Sequence, residues 1–451
     1  MSESQGSKPK DRDRLCKAKN RGGLVRLKTI TPVVDVDDSS IRRVFNAYDD
    51  TLSGVIKVKK IATELKNIGL QKSDTRLAKF YDRIAHLHRG ENTEVNYKEF
   101  KSLIRGAEKL VVRALSGQMT IPDWGDFCNQ VKAIFEETKA IKRGALADYI
   151  PQLGKVDPEL YGISICTVDG QVFSHGDCRK EFCAQSCSKA ITYCTILEDH
   201  GVEKVHKHIG REPSGKPFNK NFLNSQGLPH NPMINAGAIM ACSLIKPDSP
   251  QYDKFDYCQQ IWSRLAGGAK IGFNNPVYLS ERETAVRNFC LAYMMKDSGA
   301  FDDGVDIKQT LELYFQMCSI EIDCVRMATI AASLAGGGEC CFTGDIVFEE
   351  ETTKYCLALM LSCGMYDYSG EWAFKIGLPA KSGVGGCIMV VVPGLMGISI
   401  YSPRLDERGN SVRGIEFFTR FVDQFNVHRF DSLASSNRSD VAIKKDLSHR
   451  Q

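Results

Sequence analysis

The feature that most constrains this chain is a pair of strand hairpins at opposite ends of a long helical block. Tyr161–Val168 is rich in β-branched and aromatic residues, Asp169-Gly170 suits a two-residue turn, and Gln171–Ser174 returns. Far along the sequence, Cys387–Val392 reaches a turn at Pro393-Gly394 and comes back as Gly397–Tyr401. Between them the apolar spacing predicts helices at Lys189–His200 closed by Gly201, Ala236–Leu244, Glu283–Met295, Ile307–Cys318, and Val325–Ala335 closed by Gly336-Gly337-Gly338. Strands at both ends with helices between them predict an α+β fold: one antiparallel sheet built from N- and C-terminal strands, with a helical lobe packed on it.

Ahead of this unit the chain divides further. Residues 1–37 are basic and poor in large apolar residues, which predicts a solvated, disordered tail. Over 38–118, Ile41, Val44, Phe45 and Tyr48, then Ile61, Leu65, Ile68 and Leu70, recur at helical spacing around Ser53-Gly54. This pattern predicts an EF-hand-like helical bundle. Its loops lack calcium chemistry: with Asp49 at position 1, position 12 is Lys60, an ammonium where a bidentate carboxylate belongs. The second loop ends on Glu99 but begins at His88 and has Thr93 at the glycine position. No metal is expected there, nor at the His86/His88 and His206/His208 pairs, which have no partners at zinc spacing. Ser116-Gly117 and Pro122 mark a linker, residues 122–430 form the large domain, and 431–451 are a polar tail.

Composition excludes several classes. At 451 residues, with 43% hydrophobic and 25% charged residues, the chain is an ordinary globular one. Its formal charge of +4 is concentrated in residues 1–28, where nine Lys/Arg face Glu3, Asp11 and Asp13, so the body is near −2 and offers no electrostatic footprint for nucleic acid. The 17 cysteines are odd in number and include no C-x-x-C, which predicts reduced thiols. The longest apolar stretch, Cys387–Tyr401, is broken by Pro393-Gly394 and too short to span a bilayer, and no secretory signal is expected. Gly210–Lys216 imitates a phosphate-binding loop, but Pro217 replaces the Mg²⁺-binding hydroxyl and Pro213 removes a loop N–H. Asn437 heads a formal glycosylation sequon that a reducing compartment would leave unused.

The informative chemistry lies in Gln185-Ser186-Cys187-Ser188-Lys189. Three positions apart, Ser186 and Lys189 share a helix face. A serine hydroxyl becomes nucleophilic when a base takes its proton, and a lysine can do so only uncharged. Bringing a lysine from about 10.4 to about 7.5 requires roughly 4 kcal/mol of destabilisation of the ammonium, through burial or a second cation. Two other S-x-x-K spacings, Ser7–Lys10 and Ser243–Lys246, show that the spacing alone is weak. Lys381-Ser382-Gly383, just before the second hairpin, supplies the second cation in the arrangement of penicillin-recognising acyl-enzymes. Val384-Gly385-Gly386 then lets a backbone N–H approach a substrate carbonyl, forming an oxyanion hole with the N–H of Ser186. No S-D-N or Y-x-N lies between Lys189 and Lys381, so a third proton-handling group must come from elsewhere; Tyr366 can be that group or a core residue. On residues alone, a serine amidohydrolase, a related acyl-transferring enzyme and a non-enzymatic subunit that has kept the fold all remain open.

Eight runs together resemble the phosphate-activated, kidney-type animal glutaminases: Asp148–Leu153, Gln185–Lys189, Glu212–Gly215, His230–Ala238, Ser280–Glu283, Arg287–Phe289, Ser362–Tyr366 and Pro379–Val384. The resemblance extends from about residue 38 to 430. It implies a serine β-lactamase/transpeptidase-like fold and hydrolysis of L-glutamine to L-glutamate and ammonia. It further implies Ser186 as nucleophile, Lys189 as general base, Tyr366 as proton relay, Val384 with Ser186 as oxyanion hole, and Lys381 in support. Glu281 is then the partner of the substrate ammonium, and Tyr149, Gln185, Asn235, Asn288 and Tyr314 complete substrate binding. No cofactor is implied. Inorganic phosphate as activator, a homotetramer that can stack into filaments, and a mitochondrial or cytoplasmic location follow from the same likeness. Two departures stand out: no 33-residue ankyrin repeat follows the core, and Asn221 stands in the loop resembling the family's gating loop where kidney-type members usually carry Leu.

Overall fold

The computed structural model describes residues 36–214 and 223–431, and beyond them a two-residue strand pair, Arg26–Leu27 against Val441–Ala442. Most of the basic 1–37 segment and of the 431–451 tail, the Gly215-Lys216-Pro217 part of the phosphate-loop lookalike, Asn221 and Asn437 lie outside the described residues.

Five strands, numbered here in chain order, form the main sheet: β1 (Gly162–Thr167), β2 (Val172–Gly176), β3 (Ala380–Gly383), β4 (Cys387–Val392) and β5 (Met396–Tyr401). Their spatial order is β2-β1-β5-β4-β3, and every neighbouring pair is antiparallel. The two hairpins meet through β1 and β5, with Ile163 opposite Ile400 and Ile165 opposite Ile398. The first turn is the expected one, with the Gly170 N–H donating to Thr167 O and Gly170 at φ +91°.

β4 is buried along its whole length because the sheet is covered on both faces. The period of two sends Cys387, Met389 and Val391 into the helical lobe, and Ile388, Val390 and Val392 toward helices Trp124–Lys139 and Val412–Gln424. Those helices contribute Phe127, Phe135, Phe417, Phe418 and Phe421 to the second layer, each worth about 1.5–3 kcal/mol of burial. On the lobe side, helix Cys324–Ala335 crosses the sheet so closely that a Cβ on Gly397 would lie 2.1 Å from Ala332 N. Only glycine allows that approach. Asp306 and Asp323 cap the starts of helices Ile307–Cys318 and Cys324–Ala335.

The helix expected over Glu283–Met295 runs over Val286–Asp297, and a separate helix that was not expected, Asn275–Glu283, precedes it. The preceding one begins at the Asn274 side-chain cap and ends where the Thr284 N–H donates to Ser280 O. The break between them places Glu281 in the last turn of one helix and Asn288 in the first turn of the next. A three-stranded ribbon, Phe182–Cys183, Ile320–Ile322 and Gly272–Phe273, was also illegible, since runs of two or three residues carry no readable alternation.

The N-terminal bundle comprises helices Asp38–Tyr48, Val58–Asn67, Ala78–Ala85, Tyr97–Leu103 and Glu108–Leu115 around Ile41, Phe45, Leu65, Phe80, Phe100 and Val111. Its two loops pair as short strands, with Ile56 opposite Val95. Lys60 Nζ donates to Tyr48 O at 2.9 Å and to Asp50 Oδ2 at 2.5 Å. The segment expected as a linker is itself packed: Met119, Thr120 and Ile121 are buried. Thr120 N donates to Asp169 Oδ2 at 2.7 Å and Ile121 N to Gln171 Oε1 at 2.9 Å. Gln171 Nε2 donates in turn to Ile68 O and Ile121 O, and the Val172 N–H to Gly69 O. The bundle is thereby fastened to the turn of the first hairpin.

Candidate active site

Ser186 sits in the 3₁₀ turn Gln185–Cys187, and Lys189 lies in the first turn of helix Ser188–Val205. Ser186 Oγ and Lys189 Nζ are 2.6 Å apart, and the lysine is buried at 3% exposure. Burial is the main cause lowering the Lys189 pKa, and no carboxylate is bonded to it to reverse the effect. Its other contact is polar and neutral: Nζ donates to Asn235 Oδ1 at 2.9 Å, and Asn235 Nδ2 donates to Asn288 Oδ1 at 3.3 Å. In its uncharged form, an amine so placed would have a lone pair available for the serine proton. Asn235 occupies the first position of helix Asn235–Leu244 after the cap residue Ile234, and its side chain reaches the amine instead of capping.

Lys381 enters from β3, the edge strand, and is fully buried. Its Nζ donates to Ser382 O at 2.8 Å and Gly364 O at 3.1 Å, and lies 4.6 Å from the centre of the Tyr366 ring. Burial first, then the proximity of Lys189, pushes its pKa down to about 7. Burial and the neighbouring amine thus both work against the charged form of the expected second cation.

Tyr366 follows helix Glu350–Cys363 and a turn at Gly364. A Cβ at Gly364 would lie 1.7 Å from Ala380 O, so glycine is obligatory where this turn meets β3. Gly364 O holds both Lys381 Nζ and Ser382 N, a supporting role that sequence reasoning missed although a glycine just past a helix end was visible. The Tyr366 hydroxyl is buried without a hydrogen bond, beside the Ser186 hydroxyl and the Val384 N–H. Burial holds the phenol well above its ordinary range, only partly offset by those two neighbours. β3 approaches the Ser186 turn so closely that a Cβ on Gly383 would stand 2.8 Å from Ala184 O.

Across the cleft, Tyr149 has a half-exposed ring but an inward hydroxyl, 2.6 Å from Glu281 Oε1 and 2.9 Å from Gln185 Oε1. Gln185 Nε2 donates to the same Glu281 oxygen at 3.0 Å. Glu281 is buried, and desolvation raises its pKa, opposed by Tyr149, Gln185 and Lys189. Tyr314 is buried with its ring centre 5.9 Å from Lys189 Nζ. Gln185 and Tyr366 both have left-handed backbone, φ +49° and +54°, a strain of about 1–3 kcal/mol each that a non-glycine residue bears only when its surroundings enforce it. A surface groove of about 630 Å³ bounded by Arg143, Leu405, Asp406, Arg408 and Val412 contains none of these groups. Chemistry, not cavity size, locates the site.

A sheet closed by both chain ends, a helical lobe, and a serine–lysine contact at their junction define a hydrolase of the serine β-lactamase-like fold. The glutaminase family model matches residues 144–430, and an EF-hand domain model matches 42–122. Putative glutaminase 3 of Caenorhabditis elegans is 42% identical over 411 residues, covering 90% of this chain and 70% of that protein. The mitochondrial liver-isoform glutaminase of Rattus norvegicus is 43% identical over 380 residues, covering 84% and 63%. The solved structure of Mglu in its native form superimposes with a TM-score of 0.64 at 34% identity, covering 69% of this chain and 74% of that one. A solved probable glutaminase gives 0.62 at 37% identity, covering 65% and 94%. The chain belongs to the glutaminase family and is an amidohydrolase.

Proposed function

We propose that the chain hydrolyses the side-chain amide of L-glutamine through a serine acyl-enzyme, with Lys189 as general base. The observation that carries this reading is the 2.6 Å contact between Ser186 Oγ and a buried Lys189 amine that has no bonded carboxylate. Ser186 Oγ attacks the amide carbon as its proton passes to Lys189, and the oxyanion is met by the N–H groups of Ser186 and Val384. Tyr366, beside Ser186, passes a proton to the departing nitrogen, so ammonia leaves and a glutamyl ester remains. The proton held by Lys189 then passes to the Tyr366 oxygen, and the neutral amine deprotonates the water that attacks the ester and returns that proton to Ser186 Oγ as L-glutamate leaves. Glu281 pairs with the substrate ammonium, while Tyr149, Gln185, Asn235, Asn288 and Tyr314 supply neutral contacts to the rest of the zwitterion. A second buried anion would repel the α-carboxylate, and none of those five carries one.

Hydroxylamine competition tests the acyl-enzyme. Wild-type protein turning over glutamine should yield γ-glutamyl hydroxamate, and Ser186→Ala should yield neither hydroxamate nor ammonia. Ammonia release by Ser186→Ala at wild-type rates would refute the mechanism. Likeness to the animal relatives supports three further assignments: a homotetramer able to stack into filaments, activation by inorganic phosphate, and residence in the mitochondrion. Sedimentation with and without phosphate, alongside the rate of ammonia release, checks the first two. No helix among the described residues is long and apolar enough to cross a membrane.

A further inference from the structure

The proposed relay requires the Tyr366 phenol to face Ser186; its ring lies against Lys381 Nζ and its oxygen beside Ser186 and the Val384 N–H, but without a well-formed hydrogen bond, and its backbone is left-handed. The peptide groups on either side therefore also set its orientation. Two side chains from different elements hold both of them. Ser369 Oγ accepts from Met365 N at 3.0 Å and donates to Tyr366 O at 2.7 Å. Asn410 Nδ2 donates to Met365 O at 3.3 Å. The Met365–Tyr366 peptide is thus held at its carbonyl by Asn410, the Tyr366–Asp367 peptide at its carbonyl by Ser369, and the preceding Gly364–Met365 peptide at its N–H by the same Ser369 hydroxyl, in addition to the backbone N–H groups of Tyr368 and Ser369 that reach the first two carbonyls.

Both gripping residues are buried, Ser369 at 7% exposure and Asn410 at 0%. Ser369 opens the helix Ser369–Lys375. Asn410 lies in a turn organised by Asp406, whose Oδ1 accepts from the N–H groups of Arg408 and Asn410, while Asp406 N donates to Asn410 O. Gly409 in the same turn, at φ +87°, approaches the site itself: a Cβ there would stand 3.5 Å from Val384 Cγ1 and 3.7 Å from the Tyr366 ring. The Asn410 Oδ1 is buried without a partner.

We propose that Ser369 and Asn410 are positioning residues that hold Tyr366 in its left-handed conformation, aiming the phenol at Ser186. The proposal rests on the reading of Tyr366 as proton relay. A displacement of about 1 Å at such a group is enough to cost about 100-fold in rate.

The test uses the full chain and compares Ser369→Ala, Ser369→Thr, Asn410→Leu, Tyr366→Phe and the Ser369→Ala/Tyr366→Phe double variant. Ammonia release from glutamine gives kcat and KM, and thermal melts report folding. Ser369→Ala and Asn410→Leu should lower kcat about 10- to 100-fold with KM within about threefold, and Ser369→Thr, which keeps the hydroxyl, should recover to within about threefold of wild type. The double variant should be no slower than Tyr366→Phe, because misaiming an absent hydroxyl has no consequence. If Tyr366→Phe is slow while both Ser369→Ala and Asn410→Leu stay within about twofold of wild type, or if the Ser369 and Tyr366 losses multiply, positioning is overturned and the relay stands. A Tyr366→Phe protein at wild-type rate overturns the relay and this proposal together. Should Ser369→Ala not fold, Asn410→Leu against Ser369→Thr carries the same decision.

Discussion

The calcium-like loop of the N-terminal bundle and the cleft around Ser186 each place a lysine where another charge would be expected, with opposite chemical results. Lys60 occupies the position of a metal-binding carboxylate, is partly exposed, and is matched by Asp50 and a backbone carbonyl. Lys189 and Lys381 are buried, and hydroxyl, amide and carbonyl groups are their hydrogen-bond partners. A paired, hydrated ammonium is a structural tie. An unpaired, desolvated one gives up its proton easily and becomes a base. The difference between the two regions lies in the surroundings, not in the residue.

The most severe way to challenge this contrast is to remove the amine in the cleft. Lys189→Met should reduce ammonia release by at least about 10³-fold while the protein stays folded in thermal melts, because no hydrogen-bonded carboxylate is left without its partner. Wild-type turnover would place the base elsewhere. Lys381→Met sharpens the comparison through pH. With one ammonium gone, the other is less disfavoured, so the Lys189 pKa rises and less of it is neutral at a given pH. The acidic limb of kcat/KM, which rises as the base loses its proton, should therefore move to higher pH. A limb that stays in place would detach Lys381 from the base.

The bundle side predicts losses of stability, not chemistry. Asp169 is buried, accepts from Thr120 N and Thr167 Oγ1, and faces Arg113 at 3.1 Å. Asp169→Ala should lower unfolding stability by about 2–4 kcal/mol in urea titrations while the folded fraction keeps its kcat. Loss of kcat in folded protein would mean that bundle docking reaches the cleft. Lys60→Ala should be smallest, at about 0–1 kcal/mol with unaltered kcat, as expected for a solvent-screened pair.

The features legible in the sequence were those with a repeating period or a fixed spacing. The two hairpins, helix Ile307–Cys318 and the Ser186/Lys189 pair all carry local signals, and all four lie in described structure as expected. Helix Asn275–Glu283 was missed because its second half, Ser280–Glu283, is polar and offers no apolar period to read. Linker-like Gly117 and Pro122 gave no sign that Met119–Ile121 would be buried, since burial there depends on Asp169 and Gln171 some 50 residues away. Glu281, Gln185 and Tyr149 converge from three separate segments, and that convergence was available only through likeness to relatives. Ser369 and Asn410 had no signal at all, because what marks them is contact with a single strained peptide.

The Gly69–Val172 hydrogen bond bears on how copies of this chain can meet. It occupies the first backbone donor of β2, and Gln71 Nε2 covers the Val172 carbonyl from the same side, while β3 at the opposite margin is buried against the Ser186 turn. The start of one margin and the face of the other are thus occupied within one molecule, which discourages ribbon-like extension from subunit to subunit at those points.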